Sequence, residues 1–260
     1  MKIIFKSNFK SRTCINVLTA FSKKKENLIL FPYIFGDTFY KVNELEKNMY
    51  KNINTTILNL HNNTKNTYFN NHIIHEINDI NENSKYYMKN LKIFQKNIKL
   101  FFDVNNQIIN YFLNKHFGFK LPKNLVIFLS PNESVNSSKG LSFLYKNNTS
   151  FIMYSYSNTD INDYKFAVSV IMHEITHTLI SKDKKLSKTL NSKLEEAILD
   201  CFFPNGIFIK EIFNNKLRYV LNRSEVKKEY TLILPMVKRY YEECFSGTIW
   251  AFFRKNGFKI

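Results

Sequence analysis

From Ser84 to about His116, apolar residues recur at three- and four-residue steps: Tyr87, Leu91, Phe94, Ile98, Phe101, Ile108 and Phe112. That spacing returns to one face of an α-helix and predicts a long helix packed along this stripe. Ser84 can cap its start, and Gly118 and Pro122 end it. The pattern then shortens. Leu125–Leu129 is an apolar run bounded by Pro122 and Pro131, which predicts a strand. Leu141–Tyr145 and Ser150–Tyr154 flank Lys146-Asn147-Asn148-Thr149, a hairpin signal. Asp160 or Asn162 can cap a helix running through residues 173–177. A second helix is expected around residues 192–203, then a turn at Pro204-Asn205-Gly206. Helices are expected at residues 207–221 and 224–245, the latter kinked or split by Pro235. Residues 1–80 give no clear pattern, and Asn-rich stretches between Asn52 and Asn71 suggest loops. The order predicts an α+β fold: a helical N-terminal region, a small mixed sheet, then a helical C-terminal lobe.

A length of 260 residues allows one domain or two, and 44% hydrophobic with 16% aromatic residues supplies a sizeable core. The formal charge of +17 would favour anionic partners such as nucleic acid, acidic lipid surfaces or acidic substrates. Yet Lys, Asn, Ile and Phe are abundant throughout, as an A+T-rich coding sequence would produce. Lysines are scattered, with only short clusters such as Lys23-Lys24-Lys25. The charge is therefore read as background and not as a nucleic-acid surface. Cys14, Cys201 and Cys244 are widely spaced and form no C-x-x-C pair, so buried free thiols are expected rather than a disulfide framework. Residues 14–21 make a poor signal peptide and no run of eighteen apolar residues occurs, so no transmembrane helix and a cytoplasmic location are expected.

Chemistry concentrates at His173-Glu174-Ile175-Thr176-His177, an H-E-x-x-H pattern. On a helix the two histidines share a face and can offer two imidazoles to one metal ion, with Glu174 between them near a bound water. A catalytic zinc needs a third protein ligand. Asp183 stands six residues after His177, although Ile180 occupies the place where a turning Gly is usual and no His follows His177. The alternative is Glu196, with eighteen residues intervening after His177, on a helix where Asp200 lies one turn further on. Glu195, Glu196 and Asp200 could equally form the solvated face of an ordinary helix whose core face is Leu194, Ala197, Ile198 and Cys201. His72 and His75, with Glu76 beside them, stand at chelating spacing but read as surface or core residues; His61 and His116 read as structural.

Over residues 166–203 the chain resembles the gluzincin metallopeptidases of the thermolysin-like and aminopeptidase types. These carry H-E-x-x-H, eighteen or nineteen residues, and a ligating Glu; thermolysin-like members add an Asp four residues later. The resemblance implies a zincin-like domain over residues 81–260, or one continuous domain over 1–260. It implies one Zn²⁺ per chain held by His173, His177 and Glu196. Asp200 would hold His173 by its second ring nitrogen, and Glu195 takes the place of a residue, often Asn, that can support the other histidine. Gly140, Leu141, Ser142 and Phe143 would belong to an edge strand that binds peptide backbone. Glu174 would act as base toward a zinc-bound water in peptide hydrolysis. An oxyanion partner is expected among Tyr219, Tyr230, Tyr240 and Tyr241, with Tyr240 or Tyr241 favoured. Without a G-x-M-E-N-like strand, an endopeptidase acting on a peptide or protein substrate is expected. The rival is a non-catalytic basic binding module, for nucleic acid or protein, on the same scaffold.

Overall fold

The apolar run at residues 125–129 becomes an interior strand, and its lack of polar alternation suits a strand covered on both faces, with Leu125, Val126, Ile127 and Leu129 all buried. In the computed structural model, which describes residues 1–7, 84–131, 140–156, 164–219, 226–258 and 260, the sheet has four strands. They are β1 (Lys2–Ser7), β2 (Asn124–Pro131), β3 (Gly140–Lys146) and β4 (Thr149–Tyr156), in the order β1-β2-β4-β3. β1, β2 and β4 run parallel, and β3 is an antiparallel edge. The hairpin joining β3 to β4 turns on Asn147 and Asn148, both left-handed at φ 51° and 57°, the pair a two-residue primed turn requires.

The helices are α1 (Ser84–Phe117), α2 (Tyr164–Lys182), α3 (Leu186–Thr189), α4 (Ser192–Phe202), α5 (Ile207–Phe213), α6 (Lys227–Glu242) and α7 (Ile249–Lys255). The chain is thus mixed α/β and mostly helical, with a small sheet. Among the described residues no helix is long and apolar enough to cross a membrane. Parallel register sets Ile3 beside Leu125 and Phe5 beside Ile127, and this face, with Leu129, Ile152 and Tyr154, enters the main core. Phe94 of α1 stacks on Tyr154 at 5.5 Å, and Ser150 of β4 meets Thr178 of α2 at 2.7 Å. Residues 150 and 154 point the same way, so α1 and α2 share one side of the sheet.

Several expectations are corrected. Ile108 is exposed and Ile109 is buried in its place, because Ile108 falls at the border of the core stripe. The end of α1, by contrast, is as expected: it stops at Phe117, where Gly118 takes φ +74°. The helix expected at 207–221 stops at Phe213, where Asn214 turns left-handed at φ 51°. Pro235 sits exposed inside α6 without splitting it. Three elements were not anticipated: β1, whose partner lies over a hundred residues away; the short α3; and α7, whose Thr248 side chain accepts from Ala251 N at 3.2 Å. Cys14, Lys23, Lys24, Lys25, His61, His72, His75, Glu76, Asp160, Asn162 and Ser224 lie outside the described residues.

Candidate metal centre

α2 is apolar nearly all round, which is the pattern of a helix enclosed by others. It lies against β3 and β4 on one side and against α1, α4 and α5 on others. Five polar residues along its middle, Ser169, His173, Glu174, Thr176 and Thr178, are consequently buried. Thr176 and Thr178 satisfy their hydroxyls on the carbonyls of Met172 and Ile175, at 2.8 and 2.7 Å. With the Thr178 proton so placed, Ser150 donates to Thr178. His173 and Glu174, each 4% exposed, have no such local solution, and burying them costs free energy unless a partner compensates.

The partner comes from α4. Asn191 starts this helix by accepting from Leu194 N at 2.9 Å, and Ala197, Ile198, Leu199, Cys201 and Phe202 anchor it in the core. That leaves Glu195 and Glu196 half-buried against the histidines. Glu196 Oε2 lies 3.2 Å from His173 Nε2 and 3.4 Å from His177 Nε2, and the two ring nitrogens are 2.8 Å apart. A tetrahedral ion with bonds of about 2.0–2.1 Å separates its ligands by about 3.3 Å. The two Glu196 separations match that edge length while the nitrogen pair stands closer, and two imidazoles with one carboxylate form a zinc-type donor set.

Glu195 has a distinct position. Its Oε1 accepts from His177 Nδ1 at 2.5 Å. This fixes the tautomer with Nε2 turned to the donor cluster, and a carboxylate behind a ligating imidazole raises its basicity. The electrostatics agree. Burial alone would lower the His177 pKa, but the hydrogen bonds its ring donates to Glu195 and Glu196 and the charges of Glu196 and Glu174 outweigh it, raising the value to about 10. Burial acts against ionised Glu196, yet its contacts with His173 and His177 hold it far below the usual carboxylate range.

Glu174 faces β3. A Cβ on Gly140 would lie 2.6 Å from Glu174 Oε1 and 2.7 Å from its Cγ, so only glycine lets the strand backbone pass this close. Two residues on, the β3–β4 register slips between Ser142 and Leu144, with Phe143 the extra residue of a bulge. The strand expected at residues 140–145 is thus brought to the base candidate, and among the described residues it is the outermost strand on its side of the sheet.

Asp183 is spent elsewhere: its Oδ1 accepts from Lys185 N and Leu186 N at 2.9 and 3.0 Å and shapes the turn into α3. Asp200 is buried one turn beyond Glu196. Tyr240 is buried, with its hydroxyl 3.0 Å from His116 Nδ1 and donating to the Gly247 carbonyl at 3.2 Å. Its hydroxyl is thus engaged by two partners within the protein. Tyr230 is buried too, Tyr219 lies half-buried under Lys238 Nζ at 5.4 Å, and Tyr241 is half-buried against the core. The contact between Gly140 and Glu174 has no signal in the chain beyond a glycine opening a strand. Comparison with protein-family models, curated proteins and solved structures returns no match for the chain.

Proposed function

We propose that the chain is a zinc-dependent peptidase of the gluzincin type with a zincin-like fold. The observation that carries this reading is the convergence of His173 Nε2, His177 Nε2 and Glu196 Oε2 within 2.8–3.4 Å of one another. These three residues would hold the ion. Zinc bound there would supply a Lewis acid for the scissile carbonyl and acidify a water toward neutral pH.

The remaining work belongs to side chains of this protein. Glu195 orients His177 through Nδ1 and keeps the imidazole in the ligating tautomer. The Glu174 carboxylate accepts the proton of the attacking water and delivers it to the departing amine nitrogen. Burial beneath β3 limits its hydration and its rotamers. β3, as the sheet edge, would pair with an extended peptide and lay its backbone across Glu174.

Glu174→Gln tests the assignment. Glutamine keeps the shape but cannot take the proton, so zinc content should stay at the wild-type level. Cleavage of a mixed peptide library should fall by about 10²–10⁴-fold. Wild-type turnover by the variant would remove Glu174 from the mechanism. Zinc retention by both proteins with no cleavage of any peptide would favour the non-catalytic scaffold instead.

A further inference from the structure

The outer face of α1 carries an exposed apolar stripe beside a row of lysines. Ile93, Leu100, Val104, Ile108 and Tyr111 are exposed, and among the described residues only Leu232 joins them as an exposed large apolar side chain. Val104 is 73% exposed, Tyr111 63% and Leu100 58%. Steps of seven, four, four and three residues hold the five in one stripe, about 27 Å long at ~1.5 Å per residue.

Lys89, Lys92, Lys96 and Lys99 are also exposed, along one side of this stripe. Their steps of three and four residues set like charges next to one another, which destabilises a helix. They occupy its N-terminal half, the positive end of its dipole, and Asp103 is the single acidic residue of α1. Neither helix stability nor packing explains a lysine row in this place beside five solvated apolar side chains.

We propose that this face is a docking surface for an anionic lipid membrane. α1 lies along the surface with its apolar stripe among the headgroups and the lysines on the phosphates. Tyr111 suits such an interface, having an apolar body and a polar tip. The net charge of +17 adds long-range attraction. Nucleic acid would satisfy the lysines but leave the stripe in water. A second copy seated on the stripe would cover the apolar side chains but bring the lysines no anionic partner from its own α1, whose single acidic residue is Asp103.

The test is co-flotation of the full chain with vesicles of phosphatidylcholine, alone or with added phosphatidylglycerol. Binding is expected on the anionic vesicles only. The triple variant K92Q/K96Q/K99Q should lose on the order of 100-fold in partition. K184Q/K185Q/K188Q removes the same charge from another exposed cluster and should lose only a few-fold, roughly the effect of screened distant charges. L100S/V104S keeps every charge and should lose roughly tenfold or more. All the substitutions are at exposed positions, and melting curves would verify folding. Equal losses in the two lysine triples, or full binding by L100S/V104S, would overturn the proposal by reducing the effect to net charge. A dimer in light scattering that L100S/V104S abolishes would overturn it in favour of self-association.

Discussion

Glu195 and Glu196 are adjacent carboxylates with different tasks, and the difference lies in which nitrogen each meets. Glu196 faces the Nε2 atoms of both histidines, whereas Glu195 holds His177 Nδ1 from behind. Losing the first removes a ligand; losing the second only loosens one. Zinc should therefore stabilise the wild-type chain by about 4 kcal/mol at a thousandfold excess over its dissociation constant. For a protein of this size, that raises the melting temperature by roughly 8–16 °C. Glu196→Ala should abolish the shift, and Glu195→Ala should need about 10- to 100-fold more zinc to reach it. Asp183→Ala should keep it, because that carboxylate serves the α3 turn. A full shift in Glu196→Ala, read by thermal denaturation across a zinc titration, would remove Glu196 from the site.

Among the elements, the contact of β3 with α2 decides how Glu174 is presented. A Cβ at Gly140 would also meet Val170 Cγ1 at 2.9 Å, so Gly140→Ala must push the strand away or turn Glu174 aside. The overpacking should cost about 1–3 kcal/mol. Zinc content should be unchanged, since no donor atom is touched, while peptide turnover falls. Loss of zinc in this variant would show that β3 supports the histidines themselves. This contact was invisible in the chain's own pattern because it joins segments whose approach depends on the sheet. The elements that were legible have local causes. α1, the Asn147-Asn148 hairpin and the H-E-x-x-H helix each follow from spacing or turn chemistry within a few residues. β1 was not legible, since a short apolar run flanked by lysines acquires meaning only beside β2. The packing role of Tyr240 was hidden for the same reason, its partners His116 and Gly247 coming from two other segments.

Over the whole molecule, buried charges set the pH range in which the fold holds. His116 of α1 is buried with its Nε2 3.2 Å from Glu211 Oε1 of α5, while Lys115 Nζ donates to the same oxygen at 2.8 Å. Burial lowers the His116 pKa below its ordinary 6.5, against the pull of Glu211. For Glu211, burial opposes ionisation, but the contacts with His116 and Lys115 prevail and lower its value from 4.5. In both cases the unfolded chain binds more protons than the folded one, so stability rises with pH. The His116 contribution is complete above about 6.5 and is lost as pH falls through its lower folded value; that of Glu211 follows below about 4.5. His177 acts in the opposite sense when no metal is bound. Its folded pKa of about 10 exceeds 6.5, so its stabilisation is full below 6.5 and is lost as pH climbs toward 10. The metal-free protein should therefore melt highest near pH 6.5 and lower on either side. His116→Gln should flatten the acid limb just below that maximum and leave the alkaline limb unchanged. Saturating zinc should remove the alkaline limb, because the ion takes the place of the His177 proton and binds more tightly as that proton is lost. Melting curves of chelator-treated and zinc-loaded protein from acid to alkaline pH would check all three. An alkaline limb unaffected by zinc would mean that His177 is not a ligand.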